Sequence, residues 1–384
     1  MPRRHGAAVQ GRSQRQLPRA AARTYADDMI YTETQGVHRT PTNDAVCDAH
    51  PTTETPSRGD KKVNRGIRLM CVVAVAVIVS IAAAQDKLSK KYVETITAKD
   101  GTKYTIDMVL VPGGEFTMGS PAGEADRGDN EGPQCKVRLD PYYLCTTETT
   151  LELFMVYYHE TGTAKKEFVE VQEAQKDEEP AKDGVNAITG PTPVYGDMSM
   201  GYSKKHPAIG MTWHNATTFC KWLSQKTGKK YRLPTEAEWE FASRAGTTSA
   251  FGVCDSADGL KDFAWYADTA NVEPHAVATK KPNVLGLYDM QGNVREWVQD
   301  FYSPAAYAEL AKENPIGPKD GKVHVARGGF YDSPVAELRC AARGFEEDWW
   351  RMNDPQIPKS KWWLPQIDSV GFRVACSPDK DEKK

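Results

Sequence analysis

Tyr231-Arg-Leu-Pro-Thr-Glu-Ala-Glu-Trp-Glu-Phe-Ala-Ser-Arg-Ala-Gly246 is the stretch on which the reading of this chain turns. Thr235 and Glu238 have the spacing of a capping box, in which each side chain accepts a hydrogen bond from the other residue's backbone N–H. The spacing predicts a helix from there, holding Ala237, Trp239 and Phe241. Glu236 and Glu240 stand one helical turn apart, which invites a catalytic reading. With Arg232 and Arg244 beside them, ion pairing is the better account.

Regular patterning extends upstream. Thr212 to Leu223 reads as an amphipathic helix with Ala216, Phe219, Cys220 and Leu223 inward, ended by Gly228. His214, next to Asn215, reads as part of its N-terminal cap rather than a ligand. Glu148 to His159 shows helical spacing of Leu151, Phe154, Met155 and Tyr158. Met108 to Gly119 reads as strand, glycine turn, strand. Lys136–Leu139 and Tyr142–Thr146 flank Asp140-Pro141, a hairpin signal that sets Cys135 and Cys145 across the turn, as a bridge or as two buried thiols. Residues 163–206, rich in Lys, Glu, Pro, Gly and Met, read as a long ordered loop. The whole is an α+β domain with much irregular structure.

The front of the chain bears on the compartment. Leu69 to Ala84 is a run of 16 residues without a charge, preceded by Lys61, Lys62, Arg65 and Arg68 and closed by three alanines. That order is a secretory signal, with cleavage expected after Ala84. The run falls short of the roughly 20 residues that span a bilayer; an uncleaved anchor through 69–84 is the alternative. Residues 1–60 read as disordered or as a mis-assigned start, and 61–84 as the signal. Residues 85–106 are a lead-in, 107–377 the domain and 378–384 a charged tail. Of the 384 residues, 49 are Lys or Arg and 52 Asp or Glu, a net charge of −3. Beyond residue 68 the balance is 37 basic to 45 acidic, which excludes a nucleic-acid partner. Six cysteines follow the signal: Cys135, Cys145, Cys220, Cys254, Cys340 and Cys376. An even number in an exported chain favours disulfides, and the absence of CxxC spacing argues against zinc.

Four separated motifs carry a resemblance. They are Arg232-Leu-Pro-Thr-Glu-Ala-Glu-Trp-Glu240, Gly286-Leu-Tyr-Asp-Met-Gln-Gly-Asn-Val-Arg-Glu-Trp297, Arg327-Gly-Gly329 and Gly371-Phe-Arg373. In this order they resemble the formylglycine-generating enzymes, the sulfatase-modifying-factor family, over about residues 107–377. The resemblance implies a variant of the C-type lectin fold. It also implies a structural calcium held by Asp289, the carbonyls of Gly292 and Val294, and Glu296, a hard-oxygen set that suits this ion. A Cys220–Cys376 bridge is implied as well. Cys340 keeps the family's structural cysteine, but Ser243 stands where its partner would be, leaving Cys254 as the candidate replacement.

Two further departures bear on function. In catalytic members a cysteine pair in the loop after Arg-Gly-Gly binds copper(I). Ser333 falls on the first of these, and the second has no counterpart. The family's Asn-x-Trp-Glu-Trp reads Asn293-Val-Arg-Glu-Trp297 here, so one aromatic is lost. Copper(I) is soft and needs thiolates, so copper is not expected. The favoured reading is an exported, non-catalytic binding or accessory protein, extracytoplasmic and membrane-bound only if the signal stays uncleaved. The loop 327–343 would be its pocket, with Arg327, Ser333, Arg339 and Arg343 facing an anionic, peptide or sugar ligand. Trp349, Trp350, Trp362 and Trp363 either line a groove for such a ligand or pack an irregular tail. A working sulfatase maturase and an enzyme of other oxidative chemistry are the alternatives. The iron-dependent relatives carry clustered histidines, whereas this chain has eight dispersed ones.

Overall fold

Among the described residues there are three α-helices, two of them capped by side chains that the sequence supplies. The computed structural model describes residues 90–162, 202–352, 354, 359–364 and 369–378. Helix α1 is Leu151–Gly162, α2 is Trp213–Thr227 and α3 is Glu236–Arg244. Thr212 caps α2 by accepting from the Asn215 N–H, and Gly228 ends it with a left-handed φ of 76°. His214 is therefore not the cap; it lies in the first turn, edge-on to Trp362 with ring centroids 4.9 Å apart. The Thr235–Glu238 capping box on α3 forms as expected, with hydrogen bonds of 2.8 and 3.2 Å.

Eleven short strands among the described residues make three sheets. The largest has the order β1 (Lys91–Thr97), β2 (Lys103–Val111), β5 (Tyr142–Cys145), β11 (Ala375–Cys376), β6 (Tyr231–Arg232). The second has the order β10 (Val370–Phe372), β7 (Arg295–Phe301), β8 (His324–Arg327), β9 (Arg343–Phe345). The third is the pair β3 (Gly114–Met118) and β4 (Cys135–Leu139). Strands β1 and β2, which the sequence reading leaves partly in the lead-in before residue 107, pair with each other at one edge of the first sheet.

The expected hairpin around Asp140-Pro141 does not form. Strand β4 pairs with β3, and β5 pairs with β2. The register is continuous across the corner, with Val111 opposite Tyr142 and Gly114 opposite Leu139. These four strands are thus one antiparallel ribbon, bent at Pro112-Gly113 and at Asp140-Pro141, whose reversal is the loop 119–134. The proline that signalled a turn makes a bend, since it has no N–H to donate to the ladder. Cys135 lies opposite Met118 and Cys145 opposite Met108, at opposite ends of the ribbon, so they cannot face each other.

Helices α1 and α2 pack on the first sheet through an aromatic cluster. Phe219 stacks on Phe154 at 5.9 Å and meets Tyr157 at 5.4 Å and Phe372 at 5.2 Å. Ala216, Phe219, Cys220 and Leu223 are all buried, as the periodicity predicts. Each such large side chain contributes about 1.5–3 kcal/mol of burial. The six cysteines among the described residues form no disulfide. The anticipated Cys220–Cys376 bridge is not formed, although both residues belong to this core. Nor does Cys254 replace the missing partner of Cys340: its Sγ sits 3.2 Å from the Ser256 carbonyl, while Cys340 accepts from the Ser243 hydroxyl at 3.2 Å. The segments 1–60 and 61–84, most of the loop 163–206 and the tail from 379 lie outside the described residues.

Candidate functional site

The turn from Asp289 to Glu296 is built from left-handed residues. Asp289, Gly292 and Asn293 have φ of 55°, 80° and 53°. Glu148, from the start of α1, holds the turn: its carboxylate accepts from the Asn293 side chain at 2.7 Å and from the Val294 N–H at 3.0 Å. Glu296 accepts from Arg373 at 2.6 and 2.7 Å and from the Trp239 indole at 2.8 Å. Asp289 Oδ2 accepts from the Ala278 N–H at 2.8 Å, while its Oδ1 is buried without a partner among the described residues. Burial raises Asp289 to about 6. Burial, and then the charge of Asp289, push Glu148 well above the ordinary carboxylate range.

Three buried carboxylates thus share one cation, Arg373. The orphaned Asp289 oxygen fits a hard cation. Glu296 would then share its carboxylate with Arg373, and the set would rest on two carboxylates and two backbone carbonyls. No cluster of three His, Cys, Asp or Glu side chains able to hold a metal occurs among the described residues.

The arginines expected to face a ligand are spent inside the protein. Arg327 binds Glu240 at 2.6 Å and the carbonyls of Cys340, Ala341 and Ala342. Arg343 binds Glu236 at 2.7 and 3.0 Å and the carbonyls of Asn130 and Ser303. Arg339 binds Glu131 at 2.6 and 2.7 Å and Glu124 at 2.9 Å, pinning the loop 119–134. All three are buried, and each is ion-paired within the protein rather than presented freely to a ligand. Their carboxylate partners come from α3 and from the loop 119–134, remote in sequence, which is why motif reading missed them. Glu236 and Glu240 are ion-paired as expected, but not with Arg232, which pairs with Glu238 at 2.6 Å. Arg244 does hold Glu240, at 2.9 Å.

Ser333 is fully buried too. Its Oγ donates to Glu337 at 2.6 Å and accepts from the Phe330 N–H at 3.0 Å. The same Glu337 oxygen accepts from Arg295 at 2.7 Å. A chain Ser333–Glu337–Arg295 therefore stands at the loop. Its members were legible only in part: Glu337 lies one helical turn beyond Ser333, and Arg295 is the residue at the lost aromatic. Cys340 is buried, and burial pushes its thiol up to about 11. It is therefore a poor thiolate at neutral pH.

A cleft of about 190 Å³ opens beside this chain, lined by Arg295, Gly328, Gly329, Glu337, Phe345 and Glu347 among others. A larger one, about 500 Å³, lies between the β1–β2 turn and α1 and touches no motif residue, whereas the smaller cleft is lined by the motif residues Arg295, Gly328 and Gly329. The four tryptophans do not form a groove together. Trp350 packs on Trp297 at 5.7 Å and Trp362 is buried against His214, while among the described residues there Trp349, 43% exposed, and Met352 stand out.

Comparison with known proteins agrees with the motifs. The family model for the sulfatase-modifying factor enzyme 1-like domain matches residues 94–354. A formylglycine-generating enzyme of Streptomyces coelicolor is 32% identical over 269 residues, covering 62% of this chain and 84% of that protein. The serine/threonine-protein kinase pkn1 of Chlamydia pneumoniae is 34% identical over 240 residues, covering 62% of this chain. The match spans only 35% of that relative's length. The structure of PvdO from Pseudomonas aeruginosa is similar in fold, with a TM-score of 0.54 at 24% identity, covering 76% of this chain and 100% of that one.

Proposed function

Because this chain belongs to the sulfatase-modifying-factor family yet has Ser333 in its loop, we propose that it is a non-catalytic binding or accessory protein. Its ligand enters the cleft beside Gly328 and Gly329. The observation that carries this reading is the hydrogen-bonded chain Ser333–Glu337–Arg295, standing where the family places a thiolate. A serine hydroxyl is a hard, neutral oxygen and does not hold copper(I). Cys340, the nearest thiol in sequence, is buried and protonated at neutral pH. The test is mass spectrometry of a sulfatase-motif peptide after incubation with the protein, copper and oxygen. The expected result is no loss of the cysteine sulfur. Copper-dependent turnover that survives Cys340→Ala would sink the reading and make the protein a maturase.

Calcium belongs to the same proposal, as a structural ion at Asp289, Gly292, Val294 and Glu296. Support comes from the unpaired, buried Asp289 oxygen. An ion bound only by the folded state stabilises it by about 2.7 kcal/mol at a hundredfold excess over Kd. Chelation is expected to lower the melting temperature by a few degrees. In Asp289→Ala that difference should vanish; an unchanged wild-type melting curve on chelation would remove calcium from the assignment.

Export is proposed on the order of basic, apolar and small residues in 61–84. N-terminal sequencing of the extracytoplasmic protein should then begin at Gln85. A mature protein that starts at Met1 and stays in the cytoplasm would end the idea.

A further inference from the structure

The cleft beside Gly328 and Gly329 carries both signs of charge, and each has hydrogen-bonding capacity left over. Its charged lining is Arg295, Glu337, Arg343 and Glu347. Arg343 is committed to Glu236 and two carbonyls, so it offers a ligand little. Arg295 spends one Nη2 hydrogen on Glu337 and lays its guanidinium 4.4 Å from the Phe330 ring centroid. Its Nε and Nη1 have no protein acceptor among the described residues. Glu337 uses Oε2 for Ser333 and Arg295 and leaves Oε1 without a protein donor there. Glu347 is exposed and its carboxylate is likewise unengaged among the described residues.

We propose that this cleft binds a free α-amino acid, with Arg295 taking the carboxylate and Glu337 and Glu347 the ammonium. The chemistry selects that class. A guanidinium with spare donors matches a carboxylate in planar, paired geometry. A lone anion would meet the two carboxylates Glu337 and Glu347 in the same cleft. A lone amine would leave the guanidinium donors unmet, and an apolar group would desolvate three charges with no compensation. A small zwitterion satisfies both ends. The size agrees, since about 190 Å³ is well below the roughly 300–1,000 Å³ of clefts for drug-sized ligands. The uncharged lining agrees as well: apart from Phe345 it is Gly328, Gly329, Ala326, Ala342 and Gly344, which carry no side chain larger than a methyl group. The arginine that creates the carboxylate end stands at the position of the lost aromatic.

This inference rests on the reading that the cleft is the ligand site. The experiment uses the full chain, with ligand-observed NMR and calorimetry against the common free amino acids, each beside its N-acetyl and its amide form. At least one free amino acid is expected to bind saturably, with each blocked form weaker by about tenfold or more, the loss of one charge-assisted contact. Arg295→Gln and Glu347→Gln should each weaken binding to a similar degree. Glu347→Gln should keep the wild-type melting temperature, because that side chain is exposed and holds no other element in place. Binding of a blocked form as tight as that of its parent would overturn the proposal, and so would no binding by any amino acid up to millimolar concentrations. Oxidation of the sulfatase-motif peptide is scored separately. If it occurs, the non-catalytic reading falls; if the peptide stays intact and no amino acid binds, only the ligand assignment falls.

Discussion

Glu240→Ala is expected to destabilise the fold by about 3–5 kcal/mol, the cost of removing one partner from a buried ion pair. Glu240 is fully buried and serves three donors at once. Its Oε2 takes Arg327 at 2.6 Å, and its Oε1 takes Arg244 at 2.9 Å and the Gly119 N–H at 2.8 Å. Arg327 is itself fully buried. With Glu240 gone, the carboxylate left to it among the described residues is Glu236, 3.7 Å from its Nε, which also serves Arg343, beside the three backbone carbonyls. Two arginines and a backbone N–H lose their acceptor in a place water does not reach. Urea unfolding of the variant beside wild type measures the loss as a fall in midpoint at constant slope. Glu313→Ala is the comparison: its partner Arg138 is 4.0 Å away, both side chains are more than half exposed, and surface pairs are worth little. A Glu240→Ala midpoint no lower than that of Glu313→Ala would show that this network is not structural. The motif arginines would then return as candidates for ligand binding.

Gly292→Ala is expected to cost on the order of 3 kcal/mol or more, from left-handed backbone strain plus a clash. A Cβ at this position would lie 2.0 Å from the Trp265 carbonyl oxygen, at a φ of 80°. That carbonyl is pinned, because it accepts from the Asn293 N–H at 2.7 Å and Trp265 bridges Gly292. Neither backbone can yield without breaking the turn that carries Asp289 and Glu296. Gly228→Ala separates the two contributions. Gly228 has almost the same φ, 76°, but nothing within 4 Å of an added Cβ, so it should show the strain alone, about 1 kcal/mol. If the two variants prove equally stable, the close approach to Trp265 is wrong. A chelator series on Gly292→Ala adds a second readout, since displacing this carbonyl should also remove the calcium-dependent shift in melting temperature.

How much could be read in advance varies residue by residue. The caps were legible: Thr235 and Glu238 hold each other across three residues, and Gly228 ends α2 where the apolar periodicity stops. The α+β class and the family frame were legible in the four motifs. The spacing does not tell Thr212 from His214 as the cap, because polar residues two positions apart compete there and only backbone geometry decides between them. Asp140-Pro141 was read as a reversal, because a turn signal does not tell a bend within a ribbon from its end. The disulfides rest on an even count of cysteines, on symmetry about a turn for Cys135 and Cys145, and on the family resemblance for Cys220 and Cys376, none of which fixes distance or direction.

The candidate site shows the same division. By itself the sequence determined that a serine stands at 333 and an arginine at 295 within the family's motifs, and that Asp289 and Glu296 flank a tight turn. These are identities and short spacings, set by side-chain chemistry and by hydrogen bonds that close within one turn of chain. Only the tertiary structure decided what Arg327, Arg339 and Arg343 do. Their carboxylates come from Glu240, Glu131 and Glu236, more than eighty residues away in each case. A guanidinium in a motif looks free until packing brings its partner. Packing also buried Ser333 and left Arg295, Glu337 and Glu347 at the cleft with bonds to spare. Which charges neutralise each other and which remain for a ligand follows from the three-dimensional neighbourhood, because an ion pair is set by distance and desolvation rather than by position along the chain.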